Sequence, residues 1–256
     1  MVFIGKYKIL RTKITACDYE FILNEVRGSI KKKKILLVSP STTHMLVKAY
    51  FDKNIRKVMD NFDYVVPDSF WLTKSINFLY GKYLAQRVYG PRLMLEICDL
   101  ASKNEYKIFL LGHKNGVLKI LKKVLEKKYP GIQVVGFSNK PPLLADELDK
   151  VKPDVLFVGL GSPKQDVFSY KFLKEVYKKP LVIVPVGAAF DFITGVKSMA
   201  PTWIQNIGFE WLFRLVKEPK RLWRRYLFSI PTFLLLVTAQ KFQLILKSIG
   251  GNFGSD

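Results

Sequence analysis

Four short apolar runs, rich in β-branched residues, punctuate the first 190 positions: 35–38 (ILLV), 107–111 (KIFLL), 155–158 (VLFV) and 181–186 (LVIVPV). Each is near-continuous rather than alternating, as strands covered on both faces of a parallel sheet require. Residues 133–137 (QVVGF) suggest a further short strand. Between the runs the period becomes helical, notably over 90–103 and 115–129. In the second stretch Val117, Leu118, Ile120, Leu121, Val124 and Leu125 share one side, with lysines on the other. The alternation predicts an α/β fold: an open, largely parallel Rossmann-like sheet with helices on both faces.

The pattern changes character near residues 200–203 (APTW). Residues 208–250 hold eight Lys/Arg, two Glu and a dense set of Trp, Phe, Tyr and Leu. Such a segment suits an anionic membrane surface, its apolar side sunk into the interface. Over 220–230, helical spacing puts Lys220, Arg221, Arg224 and Arg225 on one arc and Leu222, Trp223, Tyr226 and Leu227 on the other. The chain therefore divides into an α/β domain over 1–200 and a basic, aromatic-rich, helical membrane-binding appendage over 201–256. The longest apolar stretch, 227–239 (LFSIPTFLLLVTA), contains Pro231. It falls short of the roughly 20 residues that span a bilayer. The first ten residues lack the apolar core of a signal peptide. Attachment to a membrane, rather than passage through it, is the expectation.

Charge widens the choice of partner before it narrows it. Forty-two Lys+Arg against 21 Asp+Glu give +21, an excess that suits nucleic acid, anionic lipid or a phosphorylated substrate. Runs such as 31–34 (KKKK) read equally well as solvated lysine. A basic nucleic-acid-binding protein is thus a competing class, although no reader motif appears. Cys17 and Cys98 lack CxxC or metal spacing and read as reduced, structural thiols of a cytoplasmic protein.

Three of the strands lead into turns suited to binding. Val38 runs into Ser39-Pro40-Ser41, Leu111 into Gly112-His113-Lys114, and Val158 into Gly159-Leu160-Gly161-Ser162-Pro163-Lys164-Gln165. Loops at the carboxyl ends of parallel strands are where such sheets bind ligands, and glycine lets backbone amides approach a phosphate. Each loop alone reads as well as a simple βα turn. There is no GxxxxGK[ST], no GxGxxG after a strand, no HExxH and no D-x-D. His113 could touch a ligand; His44 opens a helical pattern and reads as structural. Asp68, delivered to a turn by Val65-Val66-Pro67, is either a general base or the N-cap of the next helix. Asp191 is open between turn and site.

The combination VLFVGLGSPKQD (155–166) and PVGAAFDFITGVKSMAPTWIQNIGFEWLFRLVKEPKRLWRRYL (185–227) resembles the WecG/TagA/CpsF glycosyltransferase family. PDS at 67–69, RVYG at 87–90 and FLLGHKNGV at 109–117 extend the resemblance over most of 35–235. The resemblance implies an inverting, metal-independent enzyme without cofactor that serves cell-wall or surface polysaccharide synthesis. It would move N-acetylmannosamine or a related hexose from a UDP donor to a polyprenyl-diphosphate-linked sugar. It would sit peripherally on the inner face of the plasma membrane, and self-association is implied as well.

Carried over by residue, the resemblance makes Asp68 the catalytic base, and Arg214, Arg221 and Arg224 the cations that reach the diphosphate, with Arg225 a close fourth. Gln165 would hold donor or acceptor, in the company of Ser39, Ser41, Gly112, His113, Gly159, Gly161, Lys164 and Asp191. No metal ligand is implied. Three departures stand out: Pro91-Arg92 where the family has [ST]-D, Met199 where it has Arg, and Ser69 where it has Gly. A non-catalytic scaffold with the same fold is the reading those departures would favour, against intact Asp68 and Gln165.

Overall fold

The computed structural model describes residues 4–84, 86–141 and 144–250. The chain opens with a hairpin, β1 (Gly5–Ile9) and β2 (Thr12–Ala16), then α1 (Tyr19–Lys31), β3 (Leu36–Ser41), α2 (Thr43–Phe51) and α3 (Lys53–Asp60). It continues through β4 (Tyr64–Pro67), α4 (Phe70–Tyr80), α5 (Gly90–Asn104), β5 (Lys107–Leu111), α6 (Asn115–Lys128) and β6 (Gln133–Ser138). Then come α7 (Leu144–Val151), β7 (Val155–Val158), α8 (Lys164–Lys171) and β8 (Val182–Pro185). Four helices end it: α9 (Ala189–Ile193), α10 (Thr202–Asn206), α11 (Glu210–Lys217) and α12 (Pro219–Gly250).

The five predicted runs became five strands of the sheet, and Tyr64–Pro67, read only as leading into a turn, supplies the edge strand β4. Six strands lie in the order β4-β3-β8-β7-β5-β6, every neighbouring pair parallel. Successive residues of each strand feed opposite layers. Leu37, Phe109, Leu111, Leu156, Val158 and Ile183 enter one hydrophobic cluster; Leu36, Val38, Ile108, Leu110, Phe157 and Val184 enter the other. Both faces are therefore dry, which is why the runs are apolar throughout. The helices cover both faces, as the alternation predicts.

Two further elements differ from the expectation. The β1–β2 hairpin, paired antiparallel from Gly5↔Ala16 to Ile9↔Thr12, has no forerunner in the sequence reading. Its signal was an alternation, exposed Lys6, Lys8 and Lys13 against buried Ile9 and Ile14, over strands only five residues long.

The second difference is α12. Pro231 does not end it: the helix runs from Pro219 to Gly250. The proline is exposed, and buried Ile230 and Phe233 anchor the helix on either side of it. Tertiary packing thus outweighs the lost backbone hydrogen bond. One consequence corrects the estimate based on 227–239 alone. Over Pro219–Ile249 the helix is long and apolar enough to cross a membrane by length and composition, with 22% of its most apolar window buried in the protein.

The C-terminal helices pack on the α/β layers. Phe233 and Val237 of α12 enter the same cluster as Met45, Leu72 and Ile76 of α2 and α4. Nδ1 of His44 lies 2.6 Å from the Ser229 hydroxyl, tying α2 to α12. Burial, with Arg225 and Lys48 nearby, holds that imidazole down to about 3, so it is neutral and structural. Farther along, Gln240 accepts from the Leu10 amide at 2.7 Å and donates to the Lys8 carbonyl at 2.7 Å.

Phe233 is fully buried. Phe233→Ala is expected to cost about 3–5 kcal/mol of stability through lost burial and a residual cavity. Chemical denaturation followed by circular dichroism checks this; an unchanged midpoint would mean that α12 is not docked as described.

Candidate active site

The carboxyl ends of β3, β4, β5, β7 and β8 open into one cavity of about 240 Å³. Five separate loops thereby converge on one place, the expected position for a ligand in an open parallel sheet. Its lining includes Ser41, Asp68, His113, Gly159, Gly161, Gln165, Asp166, Asp191 and Lys197, together with Arg214, Arg221 and Arg225 from the C-terminal helices.

β4 ends at Pro67, and Asp68 follows it as a half-buried carboxylate. Ser69, not Asp68, holds the N-cap position of α4. Asp68 instead accepts from the Gly90 amide of α5 at 2.6 Å, across a different helix N-terminus. Burial pushes its carboxyl up to about 6, against the opposing pull of Arg87 and of the Gly90 hydrogen bond. A base poised near neutrality is what proton abstraction from a hydroxyl requires.

Around it, Arg87 pairs with Glu210 at 2.7 Å and donates to Gln205 at 2.6 Å. The Tyr89 hydroxyl donates to the other oxygen of Glu210 at 3.0 Å. The β4–α5 connection and α11 are thus locked through one buried acid.

On the far side, Nε2 of His113 lies 2.7 Å from Oδ1 of Asp191, and Lys197 pairs with Oδ2 at 2.8 Å. Lys197 also reaches Glu218 at 3.4 Å, and Glu218 accepts from Arg221 at 2.6 Å. This chain of charges runs from the β5 loop to the start of α12. Gln165 is buried and accepts from the Gly161 amide at 3.1 Å, bracing the turn after β7. Gly159 permits that turn: a Cβ there would lie 2.6 Å from the Phe190 ring.

Several residues named from the sequence lie elsewhere. Ser39 is wholly buried behind the cavity wall and donates to Asp166 at 2.7 Å. Gly112, at φ +102°, packs against the Gly159 backbone rather than lining the cavity. Lys164 begins α8 exposed, and Arg224 is exposed with its guanidinium 5.1 Å from the Trp223 ring. One residue of helical rotation puts Arg225, not Arg224, in the cavity. Arg92 is exposed and paired with Glu96, so of that departure only Pro91 reaches the lining. Met199 also lies outside it.

Asp166 and Lys197 are cavity residues that sequence reasoning missed. Asp166 looks like an ordinary acidic residue in a helix first turn, yet burial pushes it up to about 6 against hydrogen bonds from Ser39 and Ser162. Arg225 shows the opposite stress: burial presses its charge down, and Arg214 and Arg221 add to that. Three guanidiniums lining one cavity make a site for a multiply charged anion. Among the described residues no three His, Cys, Asp or Glu cluster as a metal site would require.

The profile of the WecG/TagA/CpsF glycosyl transferase family matches residues 7–246. The N-acetylglucosaminyldiphosphoundecaprenol N-acetyl-beta-D-mannosaminyltransferase of Bacillus subtilis (strain 168) is 29% identical, over 81% of this chain and 79% of that protein. The protein of the same name from Staphylococcus aureus (strain MW2) is 30% identical over 80% of this chain and 77% of its own length. That of Bacillus spizizenii is 30% identical over 70% of each. With a parallel α/β sheet, a poised carboxylate and a cationic cavity at the strand ends, this chain is a glycosyltransferase and belongs to the WecG/TagA/CpsF family.

Proposed function

We propose that the protein transfers N-acetylmannosamine, or a closely related hexose, from a UDP donor to a sugar carried on a polyprenyl diphosphate. The observation that carries this reading is Asp68, poised near neutrality beside Arg214, Arg221 and Arg225 in one cavity. The relatives' names supply the sugar and the lipid-linked acceptor.

In the reaction, the acceptor hydroxyl attacks the anomeric carbon while Asp68 takes its proton. The bond from that carbon to the diphosphate oxygen breaks, and UDP leaves with the electron pair. One carboxylate suffices, because no sugar–enzyme bond forms. Charge growing on the leaving diphosphate meets Arg214, Arg221, Arg225 and Lys197 as fixed cations. Their combined charge is what allows the step to run without a divalent ion or any other cofactor.

The acceptor's lipid sets the location. Exposed Trp223, Leu227, Phe228, Leu235, Phe242 and Leu246 along α12, with Trp203, Leu212 and Val216 before it, offer an apolar surface to a bilayer. Each Lys or Arg near an anionic leaflet adds about 1 kcal/mol. These features support a peripheral protein on the cytoplasmic leaflet, with UDP-sugar arriving from the cytoplasm.

Four outcomes are expected in a detergent-based assay of UDP release with a lipid-diphosphate N-acetylglucosamine acceptor. Asp68→Asn should lower kcat by at least about 100-fold, the usual scale of general-base catalysis; near-normal turnover would remove Asp68 from the chemistry. Since the ionised carboxylate is the base, kcat/KM should rise with pH through about 6 and then level off. A profile flat from pH 5 to 8, in steps of roughly half a unit, would contradict that role. Arg225→Ala should raise the donor KM about tenfold or more, since a charge-assisted hydrogen bond is lost. EDTA should leave the wild-type rate unchanged.

A further inference from the structure

A second, smaller cavity of about 60 Å³ adjoins the first, sharing Thr42, Asp68, Arg214 and Arg225 as a common wall. Trp71 of α4 and Trp211 of α11 also line it, as does Ile230 of α12. Among the described residues, eight buried side-chain polar atoms lack a hydrogen-bond partner. Five of them sit on residues that line this cavity: Thr42 Oγ1, Trp71 Nε1, Trp211 Nε1, Arg214 Nε and Arg225 Nε. A sixth, Glu210 Oε2, is ion-paired with Arg87 at 2.7 Å and is set aside. Leaving a buried polar group unmatched costs about 1–3 kcal/mol, so five around one small space mark a place where a polar ligand completes the wall.

The inventory specifies that ligand. Four of the atoms are N–H donors, and Thr42 Oγ1 can either donate or accept. Phe70 and Ile230 add apolar surface. One water needs about 10–15 Å³, so the space suits a group of about four heavy atoms. An acetamido group fits on every count. Its carbonyl accepts from indole N–H, its N–H donates to Thr42, and its methyl meets the apolar wall.

We propose that this cavity holds the acetamido group of the acceptor's terminal N-acetylhexosamine, with Trp71 and Trp211 as the residues that select it. The inference rests on the transferase reading above. Asp68 stands in the wall between the two cavities, so a sugar anchored in the smaller one presents its hydroxyl to the carboxylate. The donor's anomeric carbon then lies on the other side, as in-line displacement demands. Since α11 and α12 supply much of the wall, the subsite exists only with the C-terminal helices docked.

The test uses the full-length protein in detergent. Its probes are a short-chain prenyl diphosphate bearing N-acetylglucosamine, the same carrier bearing glucose, and UDP. Affinities are measured by calorimetry. Wild type should prefer the N-acetylglucosamine probe by about tenfold or more, one buried hydrogen bond's worth. Trp71→Phe and Trp211→Phe, which keep a ring but lose the N–H, should each erode that preference while leaving UDP affinity within about twofold. Thermal midpoints verify that both variants fold.

Equal wild-type affinity for the two carriers would overturn the proposal and point to the diphosphate as the recognised group. So would a preference that survives both substitutions. Weaker UDP binding in the variants would assign the cavity to the donor instead. Because binding is read without turnover, a wild type that shows the preference but transfers no sugar would indict the transferase reading alone.

Discussion

A buried carboxylate, Glu210, holds the two parts of this protein together where the chemistry takes place. It lies on α11, yet its partners Arg87 and Tyr89 belong to the segment that leads from β4 to α5. That segment also presents the Gly90 amide to Asp68. The ion pair therefore does more than add local stability. It fixes the position of α11, and with it Arg214, relative to the carboxylate. Removing one partner of such a pair leaves a charge stranded in low dielectric, at a cost of about 3–5 kcal/mol.

The electrostatics of the cavity follow from that docking. Asp68 and Asp166 are both pushed up to about 6 by burial, while Arg225 is pressed down by burial and by its neighbouring guanidiniums. In each case burial disfavours the charged form. A diphosphate would relieve the arginines, and a hydroxyl proton would satisfy Asp68. Fixed cations and donors aimed where charge develops are the electrostatic preorganisation such a transfer requires. His113, Asp191, Lys197 and Glu218 carry the same logic outward, linking the β5 loop to the foot of α12 through alternating charges.

Much of this architecture was legible in the residues. Continuous β-branched runs gave the central strands because both faces of the sheet are covered. The loops after them gave Asp68, Gly159, Gly161 and Gln165 as cavity or cavity-bracing positions because parallel sheets expose only their strand ends. What escaped notice was whatever depends on rotation or on distant packing. Arg224 and Arg225 differ by a single helical step, and only the buried side of α12 shows which one enters the cavity. Trp71 and Trp211 carry no local signal of a site; only the fold brings both into one cavity lining with Asp68. Pro231 looked like a break because local propensity was counted without the anchors Ile230 and Phe233.

The C-terminal segment first suggested a membrane tether, and the fold gives it a second task that constrains the first. If α12 served only to hold the protein at a bilayer, its basic residues would face outward along its length. Instead, Arg221 and Arg225 turn into the cavity while Trp223, Leu227 and Phe228 stay exposed. The same turns of helix thus wall the site and carry an exposed apolar surface. Any force that lifts α12 from α2 and α4 opens both cavities at once, and any lipid contact that steadies α12 steadies the arginines. With the lipid-linked acceptor proposed above, this arrangement would couple substrate supply to site assembly without a separate regulatory part.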